Sequence, residues 1–261
     1  MREEFRREMN TLERTLAQEA RSAAKAMKRA ASSLEDPNLA LAESVIDADI
    51  NIDNLQRDAD EMALSLLARQ APVAGDLRVV VTALRISNSL ERMGDLARHV
   101  AYIARGRFPE RAAEGEGYQL LVRMAKQAAT VGERIAQLVE SQDIAQAREI
   151  EEQDEVLDEM HRKSFEIALD ESNGLSRQEL VDVVLLGRFL ERYGDHGVSV
   201  ARNMYFLVTG LSEQTKHEPG TEEQVLGARP GDALGGAKLG TSAPAHRAAT
   251  DTSDDAATDA E

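Results

Sequence analysis

The chain has 261 residues, no cysteine and no tryptophan, and aromatic residues make up 3% of it. The absence of cysteine excludes disulfides and thiolate metal sites, and the scarcity of aromatic residues favours helices packed through aliphatic seams over β-sheet. The formal net charge of −16 disfavours non-specific binding to nucleic acid and electrostatic binding to anionic lipid, because both need a basic surface.

The start of the chain, MREEFRREMNTLERTL, is charged and lacks the apolar core of a signal peptide. The most apolar stretch, residues 181–186, is far too short to span a bilayer. The sequence therefore predicts a cytoplasmic protein that inserts no segment into a membrane.

Helical periodicity runs through most of the chain. In segments that begin at Leu41 and Val79, apolar residues recur at alternating steps of four and three, which keeps them on one helix face. Pro37 and Pro72 stand where helices would start, because proline fixes φ near the helical value. The pattern predicts six long helices with short antiparallel connections. They are expected at 2–35, 37–70, 73–105, 117–141, 143–171 and 175–210.

Two segments interrupt the helical pattern. Residues 106–117, GRFPERAAEGEG, contain a proline and three glycines and predict a linker. From Ser212 the chain is rich in Gly, Ala, Thr, Ser, Pro and Asp, which predicts a disordered acidic tail.

The predicted fold is all-α, with two tandem, pseudo-symmetric three-helix bundles and this tail. The predicted divisions are a first repeat at 1–108, a linker at 109–116, a second repeat at 117–211 and the tail at 212–261.

The two halves of the chain resemble each other. The sequence LERMGD at 90–95 returns as LERYGD at 190–195, an offset of 100 residues. The second helices match at an offset of 105, because the turn before the last helix is shorter in the second half. Matching apolar seams on both sides of these motifs indicate a duplication.

Four pairs of acidic residues occupy matching places in the repeat. They are Asp49/Asp53, Glu91/Asp95, Asp154/Asp158 and Glu191/Asp195. Residues four positions apart on a helix have Cβ atoms about 5–6 Å from each other, so like charges there repel. A hard cation such as Mg²⁺, Ca²⁺, Mn²⁺ or oxidised iron would turn this repulsion into attraction. Since the second and third helices of each bundle are neighbours in sequence, we expect one four-carboxylate cluster in each half.

A solvated acidic face without metal is the alternative interpretation. Several arginines lie close enough in sequence to balance the charge: Arg57, Arg92, Arg98, Arg188 and Arg192. Gly94 and Gly194 stand in mid-helix, where glycine costs about 0.5–1 kcal/mol relative to alanine. Their repetition favours a close approach of another backbone or a bound ion.

Signatures of other chemistry are missing from the sequence. The five histidines form neither HExxH nor Glu-x-x-His, so a ferritin-like di-iron centre lacks its usual ligands. The chain also lacks GxxxxGK[ST], GxGxxG and GxSxG, the signatures of nucleotide binding and serine hydrolysis. The sequence therefore predicts a protein that is not an enzyme.

The segment PVAGDLR at 72–78, followed by LERMGD and a hundred residues later by LERYGD, resembles the PhoU family. These are accessory and regulatory proteins of bacterial phosphate-specific transport, and the resemblance covers about residues 1–210. It implies two three-helix bundles, each with a metal site built from E/DxxxD motifs, and iron, zinc, magnesium or manganese as the ion. The implied ligands are Asp49, Asp53, Glu91, Asp95, Asp154, Asp158, Glu191 and Asp195.

The resemblance also implies a function and partners. The protein would be a negative regulator of phosphate uptake and of the phosphate-starvation response. It would act, as a homodimer, as an adaptor between the ATPase subunit of the phosphate ABC transporter and a phosphate-sensing histidine kinase. Two other hypotheses stay open: a metal-dependent enzyme or metal-storage protein that uses the same carboxylates, and a plain helical scaffold without metal.

Overall fold

The structure, a computed structural model, describes residues 2–211. Within this range the chain forms α-helices and one turn of 3-10 helix at Glu171–Asn173, and no strand. The helices are α1 (Arg2–Glu35), α2 (Leu39–Gln70), α3 (Ala74–Arg107), α4 (Gly115–Ser141), α5 (Ala145–Leu169) and α6 (Arg177–Thr209). The all-α prediction is confirmed, and the predicted tail at 212–261 lies outside the described residues.

Both prolines lie just before helices instead of opening them. The side chain of Asn38 caps α2 by accepting a hydrogen bond from the backbone N–H of Leu41, so Pro37 stays outside the helix. Pro72 is likewise separated from α3 by Val73, whose backbone is extended. The predicted starts were therefore wrong by one or two residues. The side-chain cap of Asn38 decides where α2 begins, and α3 begins after Val73 without a side-chain cap.

The turn between α5 and α6 is longer than predicted. α5 ends before Asp170, whose backbone is extended and whose side chain accepts a hydrogen bond from the N–H of Ser172. α6 begins after Ser176, which forms a capping box with Glu179. The first helix of the second half, α4, begins at Gly115, inside the segment predicted to be the linker.

Each half of the described chain is a three-helix bundle, and equivalent helices of the halves contact each other. α1 packs against α4, and α3 packs against α6. Arg107, at the end of α3, pairs with Asp182 near the start of α6. Arg78, near the start of α3, lies beside Gly210, just past the end of α6. α3 and α6 are therefore antiparallel, and the described residues belong to one compact unit. The division into two repeat domains stays a prediction.

Small side chains bring α1 and α4 close together. Ala23 and Ala24 of α1 are buried, and a Cβ atom at Gly132 of α4 would lie 3.2 Å from the Cα of Ala24. Tyr193 of α6 is fully buried, and its hydroxyl lies 3.5 Å from the carbonyl oxygen of Ala23. One aliphatic core thus extends from the first half into the second. No helix among residues 2–211 is long and apolar enough to cross a bilayer.

Candidate metal centres

The predicted acidic pairs lie on helices that contact each other, α2 with α3 and α5 with α6. Each pair influences the ionisation of the pair on the facing helix. The first-half cluster consists of Asp49, Asp53, Glu91 and Asp95, and the second-half cluster of Asp154, Asp158, Glu191 and Asp195. The two clusters differ in the contacts that their carboxylates make.

The second-half cluster brings three aspartates together. Asp154 and Asp158 of α5 and Asp195 of α6 each offer a carboxylate oxygen, and these oxygens lie within 4.8 Å of one another. Asp154 Oδ1 is buried and accepts no hydrogen bond from the described chain. An unpartnered buried carboxylate oxygen is costly, and a hard cation would satisfy it.

Burial raises the pKa values of this cluster, and mutual repulsion adds to the effect. Burial is the largest cause at Asp154, and the charges of Asp158, Asp195 and Glu191 contribute, so that its pKa rises to about 8. Burial and then Asp195 raise the pKa of Glu191 to about 7. Burial also raises the pKa of Asp158 and of Asp195. The cluster therefore retains protons near neutral pH, and a bound cation would displace them.

Glu191 lies beside the three aspartates, but it is not one of the residues whose carboxylate oxygens lie within 4.8 Å of one another. Its Oε2 accepts a hydrogen bond from Nη1 of Arg188 at 2.7 Å. Its side chain is buried, so this guanidinium offsets the cost of desolvating the carboxylate. Arg188 thus partly neutralises Glu191, and its charge also opposes the rise in the pKa of Asp195.

The first-half cluster contains a guanidinium group. Arg98 of α3 donates from Nη1 to Asp49 of α2 and from Nη2 to Asp95 Oδ1, the latter at 2.5 Å. Arg92 Nη1 pairs with Asp95 Oδ2 at 3.1 Å. In the described part of the chain, no first-half residue belongs to a group of three acidic or histidine side chains with ligand atoms within 4.8 Å. The structure thus places an arginine between the two helices here.

Burial is also the largest cause of the raised pKa values in the first-half cluster. It raises the pKa of Asp49 to about 6, with Arg98 opposing the rise and Asp53 and Asp95 adding to it. Burial and then Asp95 raise the pKa of Glu91. The pKa of Asp49 therefore departs less from its ordinary value than that of its counterpart Asp154 does.

The two mid-helix glycines make room for side chains of the facing helix. A Cβ atom at Gly194 would collide with Oδ1 of Asp154. A Cβ atom at Gly94 would lie 2.8 Å from Cδ1 of Ile52 and 3.6 Å from Oδ1 of Asp49. The close approach that was predicted at these positions is therefore made by side chains and not by another backbone.

Arg98 is predicted from its place in the sequence to balance charge near the first-half cluster, but its contact with both Asp49 and Asp95 is not. The repeat offset of 100 places Val198 at the position of Arg98, so a comparison of these two positions predicts a difference between the halves. Glu19 is not among the predicted site residues; it is a fully buried carboxyl group on α1 that accepts a hydrogen bond from Ser87 at 2.8 Å. No motif or spacing marks Glu19, because its partner lies on another helix.

Comparisons with known proteins agree with this fold and its duplication. The family profile described as the PhoU domain matches twice, at residues 16–104 and 121–204. Over 210 residues the chain is 40% identical to the "Phosphate-specific transport system accessory protein PhoU homolog 2" of Mycobacterium tuberculosis, covering 80% of this chain and 99% of that protein. It is 38% identical over 221 residues to the "PhoU homolog 1" of Mycobacterium leprae, covering 85% of this chain and 100% of that protein.

A solved structure agrees as well. The crystal structure of PhoU from Pseudomonas aeruginosa matches with a TM-score of 0.72 and 25% sequence identity, over 79% of this chain and 100% of that one. The two profile matches fall on the two halves of the six-helix body. The chain therefore belongs to the PhoU family.

Proposed function

We propose that the protein is a cytoplasmic negative regulator of phosphate uptake and of the phosphate-starvation response. It acts as an adaptor between the ATPase subunit of the phosphate ABC transporter and a phosphate-sensing histidine kinase. The observation that carries this proposal is the similarity, over nearly the full length of each relative, to proteins named phosphate-specific transport system accessory proteins. An adaptor of this kind works by binding the restrained state of its partners more tightly than the active state.

We propose that the protein forms a homodimer, and we propose no catalytic activity for it. The relatives are named as accessory proteins and not as enzymes. A homodimer would present two copies of each docking surface, which raises the avidity for a dimeric partner. The molar mass of the purified chain in solution, measured by light scattering, tests the dimer, and a monomer mass would contradict it.

A bound metal ion is also part of the proposal. Asp154, Asp158 and Asp195 fit a hard cation, because their oxygens lie within 4.8 Å of one another and one of them is buried without a partner. Among iron, zinc, magnesium and manganese, this all-oxygen set suits magnesium, manganese or iron, since zinc usually takes nitrogen and sulfur ligands. When bound, the ion would supply the positive charge that holds α5 and α6 together at this point.

Deletion of the gene tests the regulatory role. In a deletion strain grown in high phosphate, we expect phosphate uptake and a starvation-response reporter to stay high, and the full chain supplied on a plasmid to restore repression. Unchanged repression in the deletion strain would contradict the proposal. Binding of the purified chain to the isolated ATPase subunit and to the cytoplasmic part of the kinase identifies which partner it contacts.

A metal-dependent hydrolase is the second candidate. The observation in its favour is that burial brings the pKa of Glu191 to about 7, close to what a general acid or base needs at neutral pH. The test is a hydrolase screen of the metal-loaded wild-type chain and of Glu191→Gln. Turnover that disappears in the variant would support an enzyme, and no turnover in either would support the adaptor.

A further inference from the structure

Exposed apolar side chains gather where the end of α3 lies beside the start of α6. Tyr102 and Phe108 are the two aromatic residues among residues 2–211 whose side chains are at least 40% exposed. Tyr102 lies near the end of α3, and Phe108 directly follows this helix. Val181 and Leu185, close to the start of α6, are exposed as well. Single apolar residues on a surface need no explanation, whereas a contiguous group of them marks an interaction site.

Stacked rings join α3 to α6 in the middle of this region. The His99 ring stacks on that of Phe189, at 5.0 Å between centroids, and its centroid lies 6.5 Å from that of Tyr102. Val181, Leu185 and Phe189 follow one another at steps of four residues, so they share one side of α6. The side of α6 that carries the exposed aliphatic residues is therefore the side that meets the rings of α3.

The ion pair between Arg107 and Asp182 fixes the other end of the same region. It joins the last residue of α3 to the second turn of α6. Phe108 follows Arg107 and Val181 precedes Asp182 in the chain, so both apolar residues lie at the level of this pair. The resulting surface is called the α3–α6 patch, and its members are Tyr102, Phe108, Val181, Leu185 and Phe189.

Positive charge borders the α3–α6 patch. The guanidinium group of Arg105 lies over the ring of Tyr102, 5.1 Å from its centroid, and within residues 2–211 no ion pair joins Arg105 to a carboxylate. Burial lowers the pKa of His99, and the charges of Arg98 and Arg192 lower it further, so the exposed Arg192 lies near the stacked rings. The border of the patch is thus basic, although the whole chain carries a net charge of −16.

These features fit a protein partner with acidic side chains around an apolar stripe. Tyrosine and arginine are enriched among the residues that dominate binding at protein interfaces, and a basic border attracts carboxylates. A second copy that used the same patch would bring two basic borders together, which like charges oppose. Residues 2–211 contain no strand and hence no sheet edge that an extended segment could join. Two antiparallel helices instead offer a groove in which a third helix can pack.

We propose that the α3–α6 patch is the surface with which this chain docks onto a partner protein, and that the partner presents an amphipathic helix with acidic residues beside its apolar ones. This inference rests on the adaptor part of the proposed function, because it supplies the contact by which the adaptor holds its partner. Val181 and Phe189 lie eight residues apart, or about 12 Å along the axis of α6. The patch is therefore long enough to cover about two turns of the partner helix, with Arg105 and Arg192 facing its carboxylates.

Alanine substitutions in the full chain test the apolar part of the patch. The probes are the purified ATPase subunit of the phosphate ABC transporter and the cytoplasmic part of the phosphate-sensing kinase, each titrated by calorimetry. Tyr102→Ala and Leu185→Ala should each weaken the binding of at least one probe by about 10-fold or more, as truncation of central interface residues does. Leu64→Ala, which removes an exposed leucine of α2, is the control and should bind like the wild type. The midpoints of thermal unfolding should stay close to that of the wild type, because the truncated side chains are exposed.

A charge reversal tests the basic border. Arg105→Glu should slow the association of the same probe by about 10-fold or more at low salt, and the difference should shrink as the salt concentration rises, because border charges steer association and are screened by salt. Arg14→Glu is the control for the change in net charge, since Arg14 is exposed in the groove between α1 and α4. It should change the association rate much less. Surface plasmon resonance at several salt concentrations measures both variants.

The outcomes separate this inference from the proposed function. Binding that is equally strong in the wild type, Tyr102→Ala and Leu185→Ala would overturn the docking surface and leave the adaptor role intact. A dimer that becomes a monomer in Leu185→Ala by light scattering, with unchanged binding of both probes, would assign the patch to a second copy and also overturn the inference. If Tyr102→Ala does not fold, Leu185→Ala and Arg105→Glu decide. A wild-type chain that binds neither probe would overturn the proposed partners and, with them, this docking surface.

Discussion

Glu19 is a carboxyl group inside an aliphatic core. It is fully buried on α1, its Oε2 accepts a hydrogen bond from Ser87, and its Oε1 is buried without a partner. Burial raises its pKa to about 9, Ser87 opposes the rise, and the charges of Asp60 and Glu91 add to it. At neutral pH the group is therefore protonated in the folded chain and ionised in the unfolded chain.

Replacing Glu19 by glutamine should remove part of the pH dependence of stability. Between the ordinary pKa of 4.5 and the folded value of about 9, the folded state holds a proton that the unfolded state releases. The free energy of unfolding therefore falls as pH rises through this window, by at most about 1.4 kcal/mol per pH unit. Glu19→Gln mimics the protonated form, so its advantage over the wild type should grow from pH 5 to pH 9 in urea unfolding.

The exposed Glu13 on the same helix provides the control for this measurement. Glu13→Gln should follow the wild-type pH profile, because it leaves the buried carboxyl group of Glu19 in place. A parallel pH profile for Glu19→Gln and the wild type would contradict the assignment of Glu19 as a protonated core residue.

We expect Gly94→Ala and Gly194→Ala to cause different defects. A methyl group at Gly194 would displace the carboxylate of Asp154, whereas one at Gly94 would press on the side chain of Ile52. Both should lower stability by about 1–3 kcal/mol, which is typical of overpacking. Only Gly194→Ala should weaken Mn²⁺ binding, by about 10-fold or more. Equal Mn²⁺ affinity in the two variants, measured by calorimetric titration, would show that Gly194 does not shape the site.

At the scale of helices, a buried ion pair joins α3 to α6. Asp182 is 2% exposed, and Arg107, at 30% exposure, donates to both of its oxygens. Gln178 adds a hydrogen bond to Asp182 Oδ1 at 3.2 Å. The pair connects the last turn of the first bundle with the start of the last helix, so it locks the register of these two helices.

Removing this arginine should be costly for stability. Arg107→Ala would leave a carboxylate buried with Gln178 as its remaining hydrogen-bond donor, and breaking a buried ion pair on one side typically costs about 3–5 kcal/mol. We expect about 3 kcal/mol, because Arg107 is partly exposed and water can replace it in part. Arg105→Ala, two residues away and exposed, should cost less than about 0.5 kcal/mol. Equal midpoints of urea unfolding in the two variants would contradict this role of the pair.

At the scale of the whole molecule, the halves share a core. α1 contacts α4, α3 contacts α6, and Tyr193 of the second half reaches the backbone of Ala23 in the first. Neither bundle can lose its fold without exposing apolar surface of the other. The helices are thus organised as two repeats but stabilised as one unit.

Calorimetry should therefore show a single unfolding transition for the full chain. Two-state behaviour requires that the calorimetric enthalpy equals the van't Hoff enthalpy. The fragment 1–108 should be far less stable than the whole chain, because it lacks the helices that cover α1 and α3. Two separate transitions, with one reproduced by the fragment, would instead establish the repeats as independent domains.

The sequence by itself determined the class of fold, the duplication and the positions of the acidic pairs. These features are local: the period of apolar residues indicates a helix, and residues four positions apart share a helix face whatever surrounds them. For the same reason the helix ends were predicted only to within a few residues, since caps such as Asn38 depend on one or two side chains.

Only the tertiary structure decided which charges are balanced. Arg98 bridges Asp49 and Asp95 because α2 and α3 bring together residues that lie 49 positions apart in the chain. The three second-half aspartates converge in the same way, and Glu19 is buried because α1 packs against α2, α3 and α4. Such contacts join residues that are distant in sequence. The periodicity of apolar residues therefore does not determine which side chains contact each other across a helix interface.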